Sequence, residues 1–333
     1  MKDEHSIIHP ELQKIAARSP SFSFSRRNLW FFQLLMSLSP APKAPPDITI
    51  ENTFIPAQDG RARIRLRLYR SKVAAEPTPV LIWLHGGGYV IGKPEMDDLS
   101  CAQYVREAGI AVVSVDYRYA PHHPFPTGLE DSYSALLWVQ SHARQLGVDA
   151  RRLAIGGASA GGGLAAALVQ LALDRPAIRP VFQLLVYPML DDRTVLRADI
   201  DDSNNVTWTQ ASNRFGWEAY LGMKCGTAAV PAYAVPARRA DLSGLPPAWI
   251  GVGTLDVFHD EAVAYAHRLQ ASGIDCEMYI VPGAFHGFDV FDSQLPIVQA
   301  FRKSQIAALK RRLFPSGPQA VQPAPASAVP KST

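Results

Sequence analysis

The sequence predicts an α/β fold: a mostly parallel central sheet flanked by helices, with an antiparallel hairpin at one edge. Three observations carry this. Short continuous apolar runs recur between helical segments, the pattern of parallel strands buried on both faces. Two alternating segments precede them, separated by Gln58-Asp59-Gly60, and read as a hairpin. Between them all lies Leu153-Ala154-Ile155-Gly156-Gly157-Ala158-Ser159-Ala160-Gly161, which reads as a strand, a cramped glycine turn and the start of a small-residue helix.

Taken in order, residues 1–46 stand apart. They hold a helical stretch over Pro10–Arg18, the apolar run Leu29–Leu38, and then Pro40, Pro42, Pro45 and Pro46, a proline-rich hinge. The alternating segments are Ile48–Ile55 and Arg63–Tyr69. In the second, Arg63, Arg65 and Arg67 interleave with Ile64, Leu66 and Leu68, which predicts a half-buried strand with a solvated charged face rather than a nucleic-acid contact. The continuous runs are Val80–Leu84, Ile110–Val115, Leu153–Ile155, Val181–Val186, Ala248–Val252 and Cys276–Val281, with helices ended by Gly109, Gly147 and Gly273. Residues 191–240 break the alternation. They are too long for a plain loop and carry Trp208, Phe215, Trp217 and Tyr220, so they read as a helical insertion beyond the strand ends. With the N-terminal segment that insertion is expected to cover a site. Leu29–Phe32 and the aromatics Trp208, Phe215 and Trp217 are read as packing between cover and body, with lining of the pocket as the alternative. The division expected is therefore an N-terminal cap segment 1–46, a first catalytic part 47–190, the cap insertion 191–240, a second catalytic part 241–314, and a disordered Pro/Ala/Ser tail 315–333.

Charge and composition exclude several classes. The net charge of +3 over 333 residues, with no basic stripe, argues against a nucleic-acid partner. Leu29–Leu38 is too short to span a bilayer, and no signal-peptide core precedes it, so no stable membrane anchoring is expected; a membrane-surface role for that helix is the lesser reading. Three scattered cysteines, Cys101, Cys225 and Cys276, lack any metal-ligand spacing and point to buried thiols in a reduced, cytoplasmic setting with no metal.

The chemistry is concentrated in four places. Gly157 and Gly161 flank Ser159 at the spacing G-x-S-x-G, which a serine at the tip of a sharp strand-to-helix turn requires. The pentapeptide alone arises by chance in about one chain in ten of this length, so its strand and helix context matters. Directly after the strand ending at Leu84 stands His85-Gly86-Gly87-Gly88. Bare backbone there can turn N–H groups toward a substrate oxygen, so Gly87 and Gly88, with Ala160 after the serine, are the expected oxyanion-hole donors, Gly86 being a substitute for either loop glycine. Chain order in strand–turn–helix serine hydrolases is Ser, acid, His. His286, in the loop after the last strand, is the expected base. His259 and His267 fall at the start and inside the preceding helix. Asp256 follows the strand before it and is the expected acid. Asp260 and Glu261 are explained by the helix N-terminus, and Asp191 and Asp192 are the rivals.

As a set these residues, with Val115-Asp116-Tyr117-Arg118-Tyr119-Ala120-Pro121, Pro124-Phe125-Pro126 and Asp241-Leu242-Ser243-Gly244-Leu245-Pro246-Pro247, resemble the hormone-sensitive-lipase-like family of α/β-hydrolase-fold esterases. The resemblance runs from about Ile48 to Leu313. It implies the α/β-hydrolase fold, a Ser159–Asp256–His286 triad, a helical cap, no cofactor, and hydrolysis of small-molecule carboxylic esters of short to medium acyl chains through an acyl-enzyme. Homodimers are common among such proteins. Three positions depart from the usual pattern: Ala158 before the nucleophile, His122 after Ala120-Pro121, and Val257 after Asp256. An amidase, lactonase or deacetylase with the same triad, or a binding protein that has lost the chemistry, are the alternatives; retention of His286 weighs against the last.

Overall fold

The computed structural model describes residues 7–19, 23–74, 77–175, 178–200 and 206–315, so the expected tail beyond Pro315 lies outside the described residues. Eight strands, β1 (Ile48–Pro56), β2 (Arg63–Ser71), β3 (Thr78–Leu84), β4 (Ala111–Asp116), β5 (Val148–Ala158), β6 (Phe182–Val186), β7 (Ala248–Gly253) and β8 (Cys276–Val281), form one sheet in the order β1-β2-β4-β3-β5-β6-β7-β8. β2 runs antiparallel to both β1 and β4, and every later pairing is parallel. The continuous apolar runs are buried throughout β3, β6 and β7. β5 is longer than its apolar stretch. Thr78 and Pro79 pair with Val148 and Asp149, a register shift follows, and Val80 pairs with Leu153. Asp149 holds the guanidinium groups of Arg151 and Arg152 there, so the strand starts in a polar segment that periodicity does not mark.

Helices cover both faces. α6 (Ala160–Asp174) packs on β3, β5 and β6 and is buried from Ala160 to Ala172. Alanine and glycine make that approach close. The other body helices are α3 (Asp98–Gln103), α4 (Thr127–Ser141), α5 (Ala143–Leu146), α8 (His259–Ala271) and α9 (Pro296–Leu313). Left-handed Gly109 and Gly147 end their helical segments, and Gly273 lies just past α8. None of the described helices is long and apolar enough to cross a membrane. All three cysteines are buried and free.

The N-terminal segment supplies α1 (Gln13–Arg18) and α2 (Leu29–Leu38), and the insertion supplies α7 (Gln210–Leu221). The two segments touch. Phe24 N–H donates to Ser212 Oγ at 3.0 Å, Ser23 and Thr209 hydroxyls lie 2.9 Å apart, and the Phe24 and Trp208 rings are 5.6 Å apart. Further back, His9 N–H donates to Gly283 O, and the Glu11 carboxylate accepts from Ile297 N–H at the start of α9.

Two expectations fail. The arginine face of β2 is solvated only at Arg63: Arg67 is 8% exposed and makes a two-pronged pair with Asp98, while Arg65 pairs with Glu95 and Asp116. The segment after β3 folds back over that face and brings its acids with it, a long-range event invisible to local alternation. Nor do Trp30 and Phe31 pack between cover and body; they are exposed, because α2 turns only Leu29, Phe32, Gln33 and Met36 inward.

Candidate active site

Ser159 sits between β5 and α6 with φ +57° and ψ −123°, a strained conformation for a residue with a side chain. The turn is over-determined. Ser159 N–H donates to Val186 O at 2.9 Å, and Ser159 O accepts from Gly163 N–H and Met189 N–H at 3.0 Å each. The flanking glycines are steric necessities: a Cβ on Gly157 would fall 2.6 Å from Leu84 O, and one on Gly161 would collide with Leu84 O and His85 O.

His286 lies in the loop after β8 and Asp256 in the turn after β7. His286 Nε2 is 2.9 Å from Ser159 Oγ, and its Nδ1 is 2.8 Å from Asp256 Oδ2. The other carboxylate oxygen accepts from Phe258 N–H at 2.9 Å. With a carboxylate facing Nδ1, that nitrogen carries the proton and Nε2 is left to accept from the serine hydroxyl. The two loops are stitched together: Leu255 N–H donates to Ala284 O, Thr254 N–H to Val281 O, and Gly283 N–H to Thr254 Oγ1. The imidazole meets Tyr187 and Phe258 edge-on, with ring centres 4.9 and 5.1 Å away, which fixes its plane. Tyr187 in turn donates to Asp289 Oδ1 at 2.7 Å, and Asp289 Oδ2 lies 2.6 Å from Arg302.

Gly86 reaches Ser159 from the other side. A Cβ there would lie 3.4 Å from Ser159 Cβ. Gly87 and Gly88 follow with φ +121° and +59°, which only glycine adopts without strain. The amides of Gly87, Gly88 and Ala160 have no acceptor among the described residues. The loop is pinned elsewhere: Val90 and Ile91 N–H groups donate to Gly87 O, and Tyr117 OH donates to His85 O at 2.7 Å. His85 stacks on Tyr117 at 4.3 Å, and burial pushes its pKa down, so it is a neutral strut.

The cover closes over this arrangement. A Cβ on Gly88 would lie 2.7 Å from Trp208 Cζ2, and one on Gly216 of α7 would lie 2.6 Å from Gly88 O. Ser159 is only 6% exposed. Of the departures from the usual pattern, Ala158 and Val257 are buried and His122 is exposed.

The rival residues face elsewhere. Asp192 is held by Arg238 and Gly226 N–H, Asp191 by Arg193, and Asp260 by Arg197 and His259; His267 is exposed. Glu261 has a role that its position in the first turn of α8 did not reveal. It is buried, and its carboxylate accepts from Leu190 N–H at 2.6 Å, from Asp191 N–H and from the Thr194 hydroxyl. Burial drives its pKa well up. It ties the start of the insertion to the helix that follows Asp256. Among the described residues no group of acids, histidines and cysteines has the makings of a metal centre.

Comparison with known proteins agrees with this fold. A family model described as the alpha/beta hydrolase fold matches residues 81–290. The chain is 35% identical over 291 residues to carboxylesterase NlhH of Mycobacterium tuberculosis, covering 84% of this chain and 88% of that protein. It is 33% identical over 257 residues to an ethyl acetate hydrolase of Pseudomonas putida, covering 74% and 78%. Among solved structures, a bacterial heroin esterase superposes with a TM-score of 0.85 at 34% identity, covering 92% of this chain and 98% of that one. The esterase LipW from Mycobacterium marinum superposes with a TM-score of 0.82 at 33% identity, covering 93% and 97%. The chain therefore belongs to the hormone-sensitive-lipase-like family of α/β-hydrolase-fold esterases and is a carboxylic ester hydrolase.

Proposed function

We propose that the protein is a serine carboxylesterase acting on short- to medium-chain acyl esters through an acyl-enzyme, with Ser159 as nucleophile, His286 as general base and acid, and Asp256 as orienting acid. The observation that carries this reading is the unbroken hydrogen-bonded chain from Ser159 Oγ through His286 to Asp256. His286 Nε2 takes the hydroxyl proton as Oγ attacks the ester carbonyl. The oxyanion of the tetrahedral intermediate is received by the N–H groups of Gly87, Gly88 and Ala160, each worth roughly 3 kcal/mol in the transition state. The intermediate collapses, and the imidazolium returns its proton to the departing alcohol. Water deprotonated by His286 then releases the acid and restores Ser159. Asp256 keeps the imidazole in the tautomer that this sequence of steps requires. No cofactor takes part.

The N-terminal segment and the insertion act together as a helical cap. The short-chain preference rests on the cramped space between the Trp208 indole and the Gly88 loop, and on a relative named for ethyl acetate hydrolysis. The test is Ser159→Ala assayed with p-nitrophenyl butyrate. A loss of at least about three orders of magnitude in kcat is expected, and wild-type enzyme quenched during turnover carries one acyl group on Ser159. Undiminished hydrolysis by the variant rejects the mechanism.

A further inference from the structure

The outer face of α2 has no role in the site just described. Trp30 is 63% exposed, Phe31 51%, Leu34 48%, Leu35 56% and Leu38 72%. These positions follow i, i+1, i+4, i+5 and i+8, so they form one stripe along the helix. They are five of the sixteen exposed large apolar residues among the described residues, gathered on ten consecutive positions; the rest are scattered. The inner face is firmly seated. Gln33 Nε2 donates to Val90 O at 2.9 Å, Phe32 meets Phe24 edge-on at 5.1 Å, and Lys93 Nζ donates to Ser39 O just past the helix. The apolar stripe is thus held outward by packing on its other side.

Charge singles out the same segment. From Gln13 to Pro46 the sequence contains Lys14, Arg18, Arg26, Arg27 and Lys43 and no acid. All five are exposed, and none is in an ion pair among the described residues. Many arginines elsewhere are held by carboxylates, as Arg65, Arg67, Arg118 and Arg238 are. These five charges exceed the whole chain's net charge of +3. An apolar stripe with Trp, Phe and Leu, bordered in sequence by the unpaired Arg26, Arg27 and Lys43, has the chemistry of an interfacial helix. A second copy of the chain fits less well. A helix of this length is about 15 Å long and offers far less than the roughly 800 Å² per partner of a standard interface, and apposing two such faces would bring like charges together.

We propose that α2 and its basic flanks form a docking surface for an anionic lipid bilayer, on which the protein rests reversibly with the stripe sunk to headgroup depth. The helix lies in the interface plane and does not span it. Its inner neighbour Phe24 contacts Trp208, so the docked face adjoins the cover of the active site. Apolar esters dissolved in the bilayer would then be presented close to that cover.

The test uses the full chain and sucrose-loaded vesicles of phosphatidylcholine, with and without a third of phosphatidylglycerol, sedimented at about 0.05 and 0.5 M salt. Wild type is expected to sediment with the anionic vesicles at low salt and to be largely released at high salt or without phosphatidylglycerol. The double variant Leu35→Glu/Leu38→Glu should bind roughly tenfold more weakly. Arg26→Gln/Arg27→Gln should bind about tenfold more weakly with a shallower salt dependence. Both variants should keep wild-type kcat/KM on soluble p-nitrophenyl acetate, which reports an intact fold and is independent of binding. Wild type remaining in the supernatant with anionic vesicles at low salt overturns the proposal. So does a Leu35→Glu/Leu38→Glu variant that binds like wild type, or a wild-type dimer in sedimentation velocity that this variant splits.

Discussion

Replacing Trp208 with alanine should lengthen the acyl chain that the enzyme accepts. The indole is 5% exposed and lies with Phe24 on one side, His286 on another, and Gly88 beneath it. A single carbon added to Gly88 would stand 2.7 Å from Trp208 Cζ2. A carbonyl oxygen resting on the Gly88 amide therefore carries its substituents directly against the ring. Truncation to alanine empties room for roughly four methylenes. Each methylene moved there from water is worth about 0.8 kcal/mol, a factor of about four in kcat/KM. The ratio of kcat/KM for p-nitrophenyl octanoate over acetate should then rise by one to two orders of magnitude, roughly, over wild type. The variant will also lose about 3–5 kcal/mol of stability. Rates are accordingly measured well below its melting temperature, normalised to titrated active sites, with Trp208→Leu run beside it as the milder truncation. An unchanged ratio in both folded variants would refute the claim that the indole bounds the acyl site.

The remaining predictions concern three acidic side chains. Asp256→Asn should cut kcat by a factor on the order of 10⁴, since an amide facing Nδ1 no longer selects the productive tautomer; near-wild-type kcat would remove Asp256 from the mechanism. Glu261→Ala strands the Leu190 and Asp191 N–H groups and the Thr194 hydroxyl, and should cost about 2–4 kcal/mol in urea unfolding; a change below about 0.5 kcal/mol would mean that the tie is idle. Asp97, which accepts from Trp83 Nε1 at 2.7 Å, is pushed by burial from 3.8 up to about 6. The folded state thus binds this proton more tightly than the unfolded chain. Wild-type stability from this group is full below the unfolded value near 4 and is lost as pH rises through about 6. Asp97→Asn does not titrate, so its advantage over wild type should be absent at about pH 4 and grow to roughly 2–3 kcal/mol by about pH 8. Parallel denaturation curves at the two pH values that show the same difference would contradict this.

Much of the site could be read from the chain because its constraints are local and steric. Gly157 and Gly161 have no room for a side chain, and Gly87 and Gly88 need positive φ, so composition at those positions is dictated by backbone. The order Ser159, Asp256, His286 follows from which loops leave the carboxyl ends of β5, β7 and β8, and the apolar runs mark those strands. What stayed hidden depends on partners far away in sequence. Alternation along β2 assigned Arg65 and Arg67 to water, yet Glu95 and Asp98, some thirty residues on, cover them. Glu261 in a first helical turn carries the same local signal as exposed Asp260. Only the path of the insertion separates a buried tie from a surface ion pair.

The insertion shows the limit of periodicity most clearly. Asn213, Trp217 and Tyr220 fall at i, i+4 and i+7 on one face of α7, and all three are buried. Trp217 and Tyr220 pack on Tyr89, with ring centres 5.4 and 4.0 Å away, immediately after the glycine loop. Yet both amide atoms of Asn213, the Trp217 and Trp208 indole N–H groups and the Tyr220 hydroxyl have no partner among the described residues. Each such group costs about 1–3 kcal/mol when dry, a cost that water entry returns. The Ser159 turn, by contrast, has every backbone bond just described made within the body, to Val186, Gly163 and Met189. The seat of α7 is therefore the weaker boundary and the Ser159 turn the stronger one.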